Sequence, residues 1–244
     1  MPKVTLIIQA RMGSTRLPGK MLLNLADKPF INQILTRLSN CKLVDQIVVA
    51  IPDTSENDIL ESVIDSSLCG VFRGDENDCV DRFYLAHKEF GGDFIIRFPG
   101  DNFAPDFREI DRLVDYHINF NPNGFSTNLT NVFDSGYPDG IGGEIFSEKL
   151  LDKIYLKNKT NHEKEHLHLN FFDYNSQTIK DQSIPVKTTK CPKNIQRPEL
   201  ILDINTYDQY IFASKMYSYF KSVNKINFLT EDIIDWYDVV LKKG

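Results

Sequence analysis

The sequence is poor in cysteine. Its four cysteines, Cys41, Cys69, Cys79 and Cys191, form no Cys-x-x-Cys pair anywhere in 244 residues. A reduced chain without a structural zinc or a disulfide framework fits that usage. Long apolar runs are missing too, and nothing approaches the roughly 20 residues needed to span a bilayer. The start, Met1-Pro2-Lys3-Val4, runs straight into a strand-like segment without a signal-peptide pattern. No membrane association and a cytoplasmic location are expected. Positive charge is scarce: 28 Lys+Arg stand against 34 Asp+Glu, a net charge of −6. That balance argues against a nucleic-acid partner, though not against a local pocket for a small anion. Repeats, low-complexity tracts and coiled-coil heptads are absent. What is present is a hydrophobic content of 41% with 17 Phe, enough for a sizeable core and too much for disorder.

The first half alternates two patterns. Val4-Thr5-Leu6-Ile7-Ile8, Gln46 to Ile51, Cys69 to Phe72 and Phe94 to Phe98 read as short buried strands. Between them, Phe30, Ile31, Ile34, Leu35 and Leu38 recur at helical spacing behind Pro29. Ile59 to Ile64, Val80 to Phe90 and Ile110 to His117 repeat the pattern. Repeated β-α units predict an α/β fold, a mixed, mostly parallel sheet flanked by helices, in one domain over 1–244. In such sheets ligands bind beyond the carboxyl ends of the strands. After Gly124 the rhythm breaks. Residues 128–198 read as an excursion from the sheet, polar and turn-rich at first, with a helical stretch near 161–174. Leu200-Ile201-Leu202 reads as a returning strand, followed by helices near 206–221 and 230–242.

The loop after the first strand is the most informative stretch: Gln9-Ala10-Arg11-Met12-Gly13-Ser14-Thr15-Arg16-Leu17-Pro18-Gly19-Lys20. Three cations, two glycines and two hydroxyls between a buried strand and a helix suit a polyanion. Backbone N–H groups and arginine forks both bind phosphate oxygens. It is not a Walker A loop, because five residues separate Gly13 from Gly19 and Met21 follows Lys20. A solvated basic turn is the plainer alternative.

At these residues the chain resembles the cytidylyltransferase superfamily, and more closely its spore-coat polysaccharide biosynthesis branch, related to Kdo and acylneuraminate cytidylyltransferases. Further matches follow in the family's order: Phe72-Arg73-Gly74-Asp75-Glu76-Asn77-Asp78 with Asp81-Arg82, Pro99-Gly100-Asp101-Asn102, Tyr137-Pro138-Asp139-Gly140 with Glu144-Ile145-Phe146-Ser147, and Leu202-Asp203-Ile204-Asn205-Thr206-Tyr207-Asp208. Two positions depart: Lys164 stands where the family usually has Arg before Glu-His, and Tyr207 where it usually has Pro. The resemblance implies a nucleotide-diphospho-sugar transferase (GT-A-like) fold. It implies transfer of a nucleotide, CTP by preference, to a sugar with loss of pyrophosphate, and it implies a dimer. Catalytic roles fall to Arg11, Lys20 and Asp101. Nucleotide contacts fall to Ala10, Arg11, Gly13, Ser14, Arg16, Lys20, Arg73 and Arg82.

Asp101 follows a strand and a Pro-Gly turn, and Asp203 ends the segment Leu200-Ile201-Leu202. If the two lie close they can share one Mg2+, which takes one or two carboxylates plus phosphate oxygens. By their residues alone, Asp101 is equally a turn residue and Asp203 a helix N-cap. The resemblance assigns both to the metal. Asn128, Asp139 and Glu144 are acceptor candidates, because short polar side chains on turn-rich chain suit sugar hydroxyls, and the resemblance adds His166, which matches the family's Glu-His pair. A sugar-1-phosphate nucleotidyltransferase using another nucleoside triphosphate is the alternative. A homodimer is expected from the apolar cluster Leu167, Leu169, Phe171, Phe172 and Tyr174, which needs burial.

His162-Glu163-Lys164-Glu165-His166 matches the zinc-protease letters His-Glu-x-x-His. Charged Lys164 and Glu165 and the polar turn Asn158-Lys159-Thr160-Asn161 speak against a buried zinc helix. A binding protein that kept the fold and lost catalysis is a third class, opposed by the joint presence of Arg11, Lys20, Asp101 and Asp203.

Overall fold

The computed structural model describes residues 2–157, 159–225 and 227–241. Strand β1 (Val4–Gln9) lies inside a seven-stranded sheet. The others are β2 (Gln46–Pro52), β3 (Gly70–Gly74), β4 (Phe94–Pro99), β5 (Phe125–Thr127), β6 (Glu144–Ser147) and β7 (Val186–Lys187). Their order across the sheet is β7-β5-β6-β4-β1-β2-β3. All adjacent pairs are parallel except those made by β6, which runs antiparallel to both β4 and β5. The mixed, mostly parallel sheet is as expected.

Side chains alternate across the pleat, so each central strand feeds two cores. Leu6 and Ile8 of β1, Val49 and Ile51 of β2, and Ile96 and Phe98 of β4 pack on one face. That face carries the helices α1 (Phe30–Leu38), α2 (Asp58–Val63), α4 (Phe107–Phe120), α7 (Tyr207–Ser222) and α8 (Thr230–Trp236). Ile7, Val48, Ala50 and Ile95 pack on the other, under α3 (Cys79–Phe90) and α5 (Glu148–Leu156). Apolar runs with no polar alternation are what a strand covered on both faces requires. The helix starts have identifiable caps. Asp78 accepts from the Asp81 N–H and Asp106 from the Arg108 N–H, and Thr206 forms a reciprocal capping box with Gln209.

The second half departs from expectation. The stretch expected to leave the sheet returns to it twice, as β6 between β4 and β5 and as β7 at the edge. Leu200-Ile201-Leu202 does not join the sheet. Ile201 makes an isolated bridge with Asp139, and the adjoining Asp203 one with Asn102. The helical stretch near 161–174 is shorter: α6 (Asn161–Glu165) and a 3-10 turn, Leu167–Asn170. The closing helix is α8 with a π-type turn, Tyr237–Leu241; residue 242 and Asn158 lie outside the described residues.

Three of the five residues in the apolar cluster that suggested a dimer are buried by the chain itself. Leu167, Phe171 and Phe172 are fully buried, and the Phe171 ring stacks on Phe125 at 4.8 Å and meets Phe146 at 5.3 Å. Leu169 and Tyr174 are half-buried, so the cluster does not by itself call for a partner chain. Phe171→Ala empties a site with no exposed surface and is expected to cost about 3–5 kcal/mol in urea unfolding. A loss under about 1 kcal/mol would mean that this aromatic layer does not hold the second half onto the sheet.

Candidate active site

The chain leaves β1 at Gln9 and crosses the basic loop. Gly19 closes it at φ +68°, a left-handed conformation that costs glycine little, and a 3-10 turn (Lys20–Leu22) follows. That turn points Lys20 inward, where it is 9% exposed. Its Nζ donates to the Ile204 carbonyl at 2.7 Å and to Asn205 Oδ1 at 3.2 Å, and lies 4.0 Å from Asp101 Oδ2. Burial lowers the Lys20 ammonium below its usual value, while Asp101 and Asp203 pull it back up.

Opposite stands the end of β4. Pro99-Gly100 brings Asp101 against β1, with the Gly100 N–H donating to the Gln9 carbonyl at 2.9 Å. The strip 202–204 runs beside it: the Phe103 N–H donates to Leu202 O and the Ile204 N–H to Asp101 O. Asp139 joins through a pair of backbone hydrogen bonds with Leu200 and Leu202. Three carboxylates thus gather from three distant places in the sequence. Burial first, and then the charge of Asp101, raises Asp203. Burial, then Asp203 and Asp101, lifts Asp139 to about 6.

Beside Lys20 and Asp101, at the carboxyl ends of β1 and β4, lies a cleft of about 230 Å³. Ala10, Arg11, Ser14, Arg16, Lys20, Asp101 and His166 all line it, so half of the sequence candidates meet there. Residues outside that set line it too: Gln9, Arg97, Glu165 and Asn205. Arg97 has a legible signal, a lone charge in the apolar strand Phe94-Ile95-Ile96-Arg97-Phe98. Its guanidinium pairs with Glu144 at 2.8 Å and donates to Gln9 Oε1 at 3.2 Å.

Other candidates go elsewhere. Arg73 is held by Asp53, Asp58 and Glu61, all within 3.0 Å, and does not line the cleft. Arg82 is buried and donates to the Asp75 carbonyl, so it is neither a cleft residue nor a solvated helix-face residue. Gly13 also lies off the cleft lining. Asn128 is buried with its amide spent on the Glu109 carbonyl and the Gly143 N–H. Glu144 is buried on β6 between Arg97 and the Tyr174 hydroxyl. Neither of the last two is open to an acceptor. Asp203 lies behind the cleft wall, both oxygens accepting amide N–H groups from Asn205 and Gln209.

A family profile described as cytidylyltransferase matches residues 5–159. The chain belongs to the cytidylyltransferase family. It is 29% identical over 221 residues to the spore coat polysaccharide biosynthesis protein SpsF of Bacillus subtilis, covering 89% of this chain and 87% of that protein. An uncharacterised protein of Methanocaldococcus jannaschii is 32% identical over 236 residues, covering 97% and 90%. Among solved structures, a cytidylyltransferase of Leptospira borgpetersenii superposes with a TM-score of 0.82 at 29% identity, covering 97% of this chain and 94% of the other.

In this cytidylyltransferase a second chamber adjoins the cleft and shares His166 with it. Thr130, Asp139, His162, His168 and Tyr174 also line it. Asp139 and His166 therefore keep a place beside an acceptor. Burial lowers His166 and takes His168 down to about 4, so these imidazoles are neutral near pH 7. The zinc-protease letters do not assemble a zinc site. Glu163 is occupied as the capping partner of the Thr160 N–H and hydroxyl, and α6 is five residues long. Among the described residues no three His, Cys, Asp or Glu side chains converge on a metal.

Asp139 gives a pH test. Its folded value, about 6, lies above its ordinary 3.8, so the native state holds this proton more tightly than the unfolded chain. The resulting stabilisation is complete below about pH 4 and is lost as pH rises through 6. Asp139→Asn removes the titration. In metal-free buffer the variant is expected to exceed wild type at pH 7.5 by up to about 3 kcal/mol, the gap closing toward pH 4.5. A gap independent of pH in denaturant titrations would show that Asp139 is not crowded by its neighbours.

Proposed function

We propose that this cytidylyltransferase transfers CMP from CTP to a sugar acceptor in a Mg2+-dependent reaction that releases pyrophosphate. The product is an activated sugar for cell-surface polysaccharide synthesis, made in the cytoplasm. The family supports the nucleotide, and the name of the Bacillus subtilis relative supports polysaccharide synthesis. The whole chain acts as one transferase unit on this reading, because Lys20 and Ile204 meet in the same wall.

The observation that carries the reading is three cations and a carboxylate lining one cleft: Arg11, Arg16 and Lys20 with Asp101, which lies 4.0 Å from Lys20. An acceptor oxygen attacks the α-phosphorus, the bond to the bridging oxygen breaks, and pyrophosphate leaves with the electron pair. Little covalent work falls to the protein, so positioning and charge carry the catalysis. Arg11 and Arg16 offer planar forks to phosphate oxygens. Lys20 is a fixed point charge, already anchored on Ile204 and Asn205. The chamber beyond His166 receives the acceptor.

Mg2+ suits the donor set. Asp101 lines the cleft, and burial first, then the neighbouring acids, hold Asp203 and Asp139 above their usual values. A complete protein cage is not required, since Mg2+ takes one or two carboxylates with phosphate oxygens and water. Asp101 would hold it directly. Asp203 keeps one free lone pair on each oxygen beyond its two amide bonds. When bound, the ion neutralises charge on the transferring phosphoryl group.

Purified protein with CTP, Mg2+ and a panel of sugar acceptors is expected to release pyrophosphate. Asp101→Asn should lower kcat/KM by about a hundredfold or more, equivalent to a few kcal/mol of charge stabilisation. Turnover with GTP, UTP or dTTP but not CTP, or an Asp101→Asn enzyme as fast as wild type, contradicts the proposal.

A further inference from the structure

Two of the cleft's cations are held by one atom. Arg16 Nη2 donates to Asn205 Oδ1 at 2.9 Å, and Lys20 Nζ donates to the same oxygen at 3.2 Å. On its other side the Asn205 amide nitrogen donates to Asp203 Oδ2. That orientation is fixed by chemistry, since reversing the amide would aim N–H groups at two cations and a carbonyl at a carboxylate. Asp203 is itself held: its Oδ1 accepts from Gln209 Nε2 at 2.6 Å. The Gln209 carbonyl oxygen then accepts the backbone N–H groups of Asn205 at 2.8 Å and Thr206 at 2.9 Å, where α7 begins. One glutamine thus secures the backbone of Asn205, the carboxylate that orients its amide, and the first turn of a 16-residue helix.

We propose that Gln209 and Asp203 are positioning residues, and that through Asn205 they set Arg16 and Lys20 in place for a polyphosphate. The proposal deepens the nucleotide reading above and rests on it. The physical advantage lies in the neutrality of the amide. It fixes both cations by hydrogen bonds without cancelling their charge, so the charge remains for the ligand. Cations fixed beforehand lose less conformational freedom on binding.

A helix cap alone would predict something different, and the two roles separate by substitution. Glutamate serves a capping box as well as glutamine does. Gln209→Glu therefore keeps the acceptor for the N–H groups of Asn205 and Thr206. It removes the amide donor and sets a second carboxylate against Asp203. Asn205→Ala reads the same device without touching the cap.

The experiment is titration calorimetry of the full chain, in EDTA-containing buffer, with CTP and separately with inorganic tripolyphosphate. Gln209→Glu is expected to melt within about 2–4 °C of wild type. It should bind both polyphosphates at least about tenfold more weakly, and Asn205→Ala should do likewise. The double variant should bind no more weakly than Asn205→Ala, because Gln209 acts through Asn205. In turnover the loss should appear in KM for CTP more than in kcat. Wild-type affinity in Gln209→Glu, or fully additive losses in the double variant, overturns the positioning role and leaves the transferase reading intact. If wild type binds tripolyphosphate but not CTP, and the variants weaken it, the positioning role stands and the nucleotide reading fails. If wild type binds neither, both fail.

Discussion

The site depends on one constraint: β1 and β4 run parallel, in register, and end together. Their pairing continues to Gln9 against Pro99, and the next residue is Gly100. A Cβ at Gly100 would sit 2.3 Å from the Gln9 carbonyl oxygen, so only glycine lets the two chain ends close over each other. From that junction the basic loop departs on one side and Asp101 on the other. Neither Lys20 nor Asp101 would face a shared cleft if either strand ran one residue longer. The position obeys the rule for open α/β sheets, where ligands sit beyond the strand carboxyl ends.

Beneath the cleft floor a buried polar network ties the halves of the chain together. Arg97 of β4 meets Glu144 of β6, Glu144 accepts from the Tyr174 hydroxyl at 2.7 Å, and Tyr174 meets Thr127 of β5 at 2.9 Å. A buried ion pair is a weak source of net stability, because desolvation offsets most of its attraction. Its value here is geometric. It joins the antiparallel strand to the strand that carries Asp101, and it holds an arginine in the cleft wall with its charge balanced from behind.

The parallel half of the fold is legible because strands buried on both faces carry unbroken apolar runs and the helices between them keep their spacing. The antiparallel half is not. β6 is four residues long and β7 two, too short to carry a period, and Leu200-Ile201-Leu202 has strand-like residues but makes only an isolated bridge. The cleft shows the same divide. Arg11, Arg16, Lys20 and Asp101 are legible because charge and glycine cluster at a strand's end. Asn128 and Glu144 look like loop polars, but their partners, Glu109 and Arg97, lie 19 and 47 residues away. Arg73 looks like a phosphate ligand until Asp53, Asp58 and Glu61 fold around it. Asn205 carries no sequence signal of its own. Its role exists only because Arg16, Lys20 and Asp203 converge on one amide.

The central claim is that the triphosphate lies between the basic loop and the end of β4. A crystal structure with CTP and Mn2+, using anomalous scattering to place the ion, tests it most directly. The account predicts phosphate oxygens within hydrogen-bond distance of Arg16 and Lys20, and a manganese peak beside Asp101. Nucleotide bound elsewhere, for instance in the cavity lined by Arg37, Tyr217 and Phe228, with Lys20 still directed only at Ile204 and Asn205, would contradict it.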